Sequence, residues 1–397
     1  MISEKMMELG KKRSVIREIF EYGNKRRQEI GAENVFDFSL GNPSIPAPDV
    51  VKETMLRLIN DKDPVKLHGY TSAQGDLSVR SAIAEDIKDR FGAASGADLI
   101  YMTCGAAASL TISLNALVRD GDEVIVLAPF FPEYRVFAEK AGAKVRVVKC
   151  REEDLQIDFS ALQEAINEKT KAIIVNSPNN PSGVVLSEET IIELSKLLER
   201  KQNEYKTEIY VIADEPYREL VYDEVEVPYI PNYYDNTLVC YSFSKSLSLP
   251  GERIGYIFVS PKVNNCSDVY AAVCGAGRAL GFVCAPSLLQ YTVAENLGKT
   301  ANIEIYDKNR NILYDALTEY GYELARPDGA FYLFMKSPEE NANAFCERAK
   351  KYEILIVPGD DFGFEGYVRI SYCVSTEMIL KSLEGFKKLI EEYNGKG

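Results

Sequence analysis

The sequence predicts an α/β protein with a large, mostly parallel sheet sandwiched by helices and a smaller α+β domain, and two patterns carry that prediction. From Asp98 to Val259, short uninterrupted apolar runs alternate with stretches of helical period. Apolar strands separated by helices mark a mostly parallel sheet covered on both faces. Beyond residue 300 the order changes to runs of strand followed by helix, which suggests a separate α+β unit. At 397 residues the chain can bury one large core and a smaller one. The expected division is residues 45–300 for the large domain, with 1–44 and 301–397 together forming the small one.

Each element follows from local pattern. Met6, Leu9, Ile16, Ile19 and Phe20 recur at roughly helical spacing within residues 4–30, and Gly31 suits the stop. Val35-Phe36-Asp37-Phe38 reads as a strand, broken by the turn Ser39-Leu40-Gly41-Asn42-Pro43. Helices are expected over 49–60 and 77–91, flanking an aperiodic stretch from His68 to Gly75 around Tyr70. The alternation then gives strands at 99–103, 123–127, 144–148, 171–175, 209–213, 237–241 and 255–259, with helices over 106–118, 133–141 and 188–201. Residues 287–320 read as largely helical, interrupted near Gly298. Strands at 330–336, 354–357 and 367–371, a helix over 342–352 and a closing helix over 377–393 complete the chain.

Composition narrows the function. A net charge of −14, with no basic block, disfavours nucleic acid as a partner. The eight cysteines are scattered without Cys-x-x-Cys spacing and His68 is the single histidine, so neither a metal site nor a histidine-based triad is favoured. Buried, reduced thiols are the plainer reading and point to a reducing, cytoplasmic compartment. The charged first 28 residues lack an apolar signal core, and no apolar run approaches membrane-spanning length.

In parallel sheets, ligands bind where strands end and loops begin. Five such ends stand out. Thr103-Cys104-Gly105-Ala106-Ala107 runs from strand into helix, and the free N–H groups of a helix start suit a phosphate as readily as they form an ordinary turn. Pro129-Phe130-Phe131-Pro132-Glu133-Tyr134 brings aromatic faces that can stack on a heterocycle or fill core. Asn176-Ser177-Pro178-Asn179-Asn180-Pro181 is a rigid loop that aims amide groups. Asp214-Glu215-Pro216-Tyr217 ends its strand in a carboxylate, either a helix cap or a partner for a protonated ring nitrogen. Ser242-Phe243-Ser244-Lys245 places one lysine among hydroxyls, with Arg253 eight residues on. Taken alone it is a common surface turn. In company with the other ends it has the makings of a nucleophilic amine beside a phosphate site.

Together these residues resemble the class I/II aminotransferases, pyridoxal-phosphate enzymes of fold type I. The resemblance spans essentially the whole chain, through Asn-Pro-Ser-Gly, Asp-x-x-Tyr, Ser-x-Ser-Lys and Gly-x-Arg in this order. It implies that Lys245 forms a Schiff base with the cofactor aldehyde and then acts as the base of the proton shift. Asp214 would pair with the pyridinium nitrogen, Asn180 and Tyr217 would bond the ring oxygen, and Phe131 would stack on the ring. The phosphate would be held by Gly105, Ala106, Ala107, Ser242 and Arg253, with Tyr70 reaching across from a second subunit of a homodimer. Arg369 would clamp the substrate α-carboxylate, with Asn180 beside it and Gly41 closing over it.

The chain departs from many relatives in two places: Gly105-Ala106-Ala107 has no hydroxyl or lysine side chain, and the stacking residue is phenylalanine rather than tryptophan or tyrosine. Arg278 lies roughly where dicarboxylate-specific relatives bind a distal carboxylate, although it equally reads as a brace for a glycine-rich loop over 274–280. The expected activity is amino-group transfer between an α-amino acid, such as aspartate or another dicarboxylate, and a 2-oxo acid. The alternatives are β-elimination or C–S lysis with the same cofactor, and a non-catalytic regulatory module.

Overall fold

The computed structural model describes residues 2–11 and 15–395. Its strands, in chain order, are β1 (Phe36–Asp37), β2 (Ile100–Thr103), β3 (Glu123–Ala128), β4 (Lys144–Lys149), β5 (Thr170–Asn176), β6 (Tyr210–Asp214), β7 (Thr237–Ser242), β8 (Gly255–Val259), β9 (Tyr332–Lys336), β10 (Ile354–Leu355), β11 (Val357–Pro358) and β12 (Tyr367–Ser371). β2 to β8 form one seven-stranded sheet in the order β2-β8-β7-β6-β5-β3-β4. Only β8 runs against its neighbours, so the other six strands all end at the same edge. β8 starts at that edge.

Both faces are covered, which is why these strands read as continuous apolar runs. Val124 and Val126 face a core built on Leu110, Ile112 and Leu114 of the helix Ala106–Leu117. Ile125 and Leu127 face the opposite core, with Leu194 and Leu198 of the helix Glu188–Tyr205. A leucine as fully buried as Leu198 contributes about 1.5–3 kcal/mol relative to its exposed state. β4 is the polar edge of the sheet, most of its residues exposed.

A third core, around Phe38, Phe331, Phe345 and Phe386, lies beneath the antiparallel sheet β11-β12-β9 and the packed helices Glu304–Tyr320 and Thr376–Tyr393. β1 pairs with β10, which hydrogen-bonds the N-terminal segment to this C-terminal part. No helix among the described residues is long and apolar enough to cross a membrane.

Several expectations are corrected. The helix expected over 4–30 is two, Glu4–Lys11 and Val15–Ile30, with their junction outside the described residues; the first buries none of its side chains. The strand expected over 354–357 divides at Ile356 into β10 and β11, which enter different sheets. Residues 274–280 are no loop but the end of the helix Cys266–Leu280. Gly277 is there for packing, because a Cβ would collide with the Tyr101 hydroxyl of β2. Among the short helices that the period does not reveal are Pro64–His68 and Phe159–Ala165, each started by an aspartate, Asp63 or Asp158, whose side chain accepts from the third residue of the turn.

Candidate active site

Above the shared strand edge lies a cleft of about 320 Å³, reached by side chains from β2-to-helix, β3, β5, β6 and β7 loops and by Arg369 of β12. Asp214 is the last residue of β6 and stands in register with Asn176, the last of β5. The Asn176 side-chain amide donates to the Asp214 main-chain oxygen (2.8 Å), and its Oδ1 accepts the Asn180 N–H (2.8 Å). The buried Asp214 carboxylate accepts from the Tyr134 hydroxyl at Oδ2 (2.5 Å), whereas Oδ1 has no partner among the described residues. Burial pushes its pKa up to about 7, with the Tyr134 bond pulling down and the Glu215 charge pushing up.

Lys245 sits in the four-residue helix Phe243–Ser246 that follows β7. Its Nζ donates to the Gly41 carbonyl (2.8 Å). A side chain at residue 41 would run into the Tyr332 hydroxyl, so the close approach of this backbone requires glycine. The surrounding protein desolvates the amine and lowers its pKa to about 8; the nearby Cys373 thiol opposes this, and the Arg369 and Arg253 charges reinforce it.

Gly105, with φ +86°, precedes the helix Ala106–Leu117, and a Cβ there would press on the Arg253 guanidinium at 3.0 Å. Arg253 arrives at this point because β8 begins at the edge where its neighbours end. Its Nη1 donates to Pro250 O (2.9 Å). Ser242 Oγ accepts the Ser244 N–H (3.1 Å) and lies 2.7 Å from Ser244 Oγ. Helix N–H groups, two hydroxyls and a guanidinium thus converge on one corner, the composition of an anion site.

Arg369 is buried, its guanidinium carbon 4.8 Å from the Tyr332 ring centre and 5.0 Å from that of Phe362. Nη1 donates to Asn180 Oδ1 (3.1 Å), Nη2 donates to Ser39 O, and Nε has no partner among the described residues. The Tyr217 and Tyr332 hydroxyls are 3.0 Å apart. Phe131 lines the same cleft, its ring edge-on to Tyr134 at 5.7 Å.

The fold therefore gathers Gly41, Gly105, Ala106, Ala107, Phe131, Asn180, Asp214, Tyr217, Ser242, Lys245, Arg253 and Arg369 in and around one cleft. Tyr70, 98% exposed, and Arg278, exposed in the last turn of its helix, lie outside it. Sequence reasoning did not single out Tyr134, Asn176, Ser244 or Tyr332 as site residues. The first three had a signal, since they lie in the strand-end stretches already noted. Tyr332 had none: it meets Tyr217 from 115 residues away.

Residues 33–386 match the family model for aminotransferase class I and II. The chain belongs to this family. It is similar along nearly its whole length to a crystal structure of an amino transferase from Eubacterium rectale, 56% identical over 99% of each chain with a TM-score of 0.98. A probable aspartate aminotransferase of Methanocaldococcus jannaschii is 32% identical, over 96% of this chain and 98% of the relative. The aspartate aminotransferase of Thermus thermophilus, solved with maleate, is 27% identical with a TM-score of 0.86, covering 98% of this chain and all of the other. As a class I/II aminotransferase the chain is a fold type I transaminase, dependent on pyridoxal phosphate and acting on amino and 2-oxo acids.

Proposed function

We propose that the cleft holds pyridoxal phosphate through Asp214 at the ring nitrogen, Asn180 and Tyr217 at the ring oxygen and Phe131 against the ring face, with Gly105, Ala106, Ala107, Ser242 and Arg253 at the phosphate. The observation that carries this is the buried Asp214 Oδ1, an acceptor without a partner in the same cleft as the Lys245 amine. A protonated ring nitrogen is the donor such an oxygen lacks. Pyridoxal phosphate supplies an electron sink for the pair released when the substrate α-C–H bond breaks.

The chain's own residues do the rest. Lys245 Nζ, with its pKa near 8, carries the proton removed from the substrate α-carbon. Arg369 takes the α-carboxylate, oriented by Asn180 and by the rings on which it stacks. Gly41, whose carbonyl holds the Lys245 amine, closes this end of the cleft.

Tyr70 and Arg278, both outside the cleft of their own chain, act on this reading in the cleft of a second subunit, so the working form is a homodimer. The preferred donor is aspartate or another dicarboxylate, in line with the names of two relatives above. Among the described residues the lining supplies guanidinium groups from Arg253 and Arg369, and Arg278 supplies the third charge that a distal carboxylate needs. The work is done in the cytoplasm.

A donor and acceptor panel, read from the cofactor absorbance in each half-reaction, tests the assignment. Aspartate and glutamate should outrun neutral amino acids, and Arg278→Ala should erase that preference while Lys245→Ala stops turnover. Unchanged preference in Arg278→Ala overturns the dicarboxylate reading. Pyruvate and ammonia release from cystathionine without a 2-oxo acid acceptor would instead favour lysis.

A further inference from the structure

A second buried polar group stands behind Lys245, away from the cleft. Side chains alternate along β7, so Tyr241 enters the opposite core from Cys240. Its hydroxyl lies 2.8 Å from Glu219 Oε2 and 3.0 Å from Ser246 Oγ, the residue after Lys245. The other carboxylate oxygen of Glu219 accepts from Arg90 Nη2 (2.9 Å), in the last turn of the helix Leu77–Phe91. The phenol hydroxyl is directed at both oxygens, so it ties the Glu219 carboxylate to Ser246. Ser246 is held again through its carbonyl, which accepts the Ala301 N–H at 2.7 Å from the connection between the helices Ser287–Ala294 and Glu304–Tyr320.

This arrangement matters because of what it supports. Phe243–Ser246 is a single turn, too short to hold its shape alone. Ser242 fixes its beginning by accepting the Ser244 N–H, and Ser246 is the anchor at its end. The Glu219 side chain is nearly buried whereas that of Arg90 is 31% exposed, so the pair is weak evidence for stability; one attested use of such groups is to select a single conformation.

We propose that Tyr241, backed by Glu219 and Arg90, is a positioning residue for Lys245. The proposal rests on Lys245 being the catalytic amine. Tyr241 touches neither substrate nor cofactor; it acts by fixing the far end of the turn from which Nζ projects, and thus the angle at which the amine meets the reacting atoms.

The test uses holoenzyme with saturating pyridoxal phosphate. Tyr241→Phe should lower kcat about tenfold or more with KM held within about twofold, the scale expected when a reacting group is misaimed by a fraction of an ångström. The visible-region circular dichroism of the bound cofactor should change in the same variant, since it reads the asymmetry of the lysine and ring geometry. Glu219→Gln, which keeps an acceptor, should retain more kcat than Glu219→Ala. Tyr229→Phe is the control: that hydroxyl is buried in the same core with no hydrogen-bond partner among the described residues, and its loss should alter neither kcat nor dichroism. Should Tyr241→Phe fail to fold, Ser246→Ala severs the same link from the other side. Parental kcat and dichroism in these variants, with only a lower melting temperature, would overturn the proposal. Lys245→Ala, assayed in parallel, separates the two ideas. Turnover surviving in that variant removes the lysine assignment, whereas a dead Lys245→Ala beside an unaffected Tyr241→Phe removes only the role of Tyr241.

Discussion

Tyr134 donates its hydroxyl proton to Oδ2 of Asp214 across 2.5 Å, while Oδ1 of the same buried carboxylate has no partner among the described residues. One oxygen is committed to the protein and the other is left for a ligand. An unpaired buried acceptor is costly, typically about 1–3 kcal/mol, and is retained where something else makes use of it.

Tyr134→Phe leaves both carboxylate oxygens unpaired and pushes the Asp214 pKa further up. The apoprotein should lose about 1–3 kcal/mol at pH 8, on the scale of an unsatisfied buried group. The loss should be smaller at pH 5, where the carboxyl is protonated and needs its partner less. Denaturant midpoints at the two pH values check this; equal losses would show that the bond does not favour the ionised form.

Two groups shift in ways that give the apoprotein a characteristic pH dependence. Asp214 titrates near 7 when folded, against 3.8 for its ordinary value. Between those values the native state binds more protons than the unfolded state, so this group's contribution falls as pH rises through that window. Lys245 titrates near 8 against 10.5. Between these the unfolded state holds the extra proton, so stability rises with pH. A shallow minimum between the two windows is expected in a plot of stability against pH, and Lys245→Ala should remove its upper limb. A limb that persists in that variant belongs to another group.

Lys245→Ala should abolish turnover while leaving the fold and part of the cofactor affinity, because the anion corner at Gly105, Ser242 and Arg253 is untouched. Far-ultraviolet dichroism, equilibrium dialysis of pyridoxal phosphate and the transaminase assay report these separately. Retained activity refutes the assignment.

Arg369→Lys exchanges a planar fork stacked between Tyr332 and Phe362 for a single ammonium. Losing bidentate recognition should lower kcat/KM for the amino acid by about 10- to 100-fold, or about 1.4–2.8 kcal/mol, mostly through KM. Cofactor affinity should stay near the parental value. An unchanged KM would place the α-carboxylate elsewhere.

Local pattern was enough for the central sheet, since strands buried on both faces must be apolar throughout and the helices between them must carry the 3.6-residue period. The residues at strand ends were legible for a related reason. Six parallel strands end at one edge, so Thr103, Asn176, Asp214 and Ser242 had to be neighbours once the alternation was recognised. Harder to read were features that depend on pairs distant in the chain. Gly277 looked like loop chemistry until the helix was seen against Tyr101, and a glycine chosen for lack of volume leaves the same letter as one chosen for its turn. Tyr332 meeting Tyr217, Tyr241 meeting Glu219 and the division of 354–357 between two sheets leave no short-range trace, because hydrogen bonds and packing across the fold set them. Residue types and their order establish the architecture, the family and the chemistry of this chain. Only the folded arrangement settles which oxygen of Asp214 is free, which carbonyl holds the Lys245 amine and how far that amine is desolvated, since each depends on groups that the backbone brings together from remote segments.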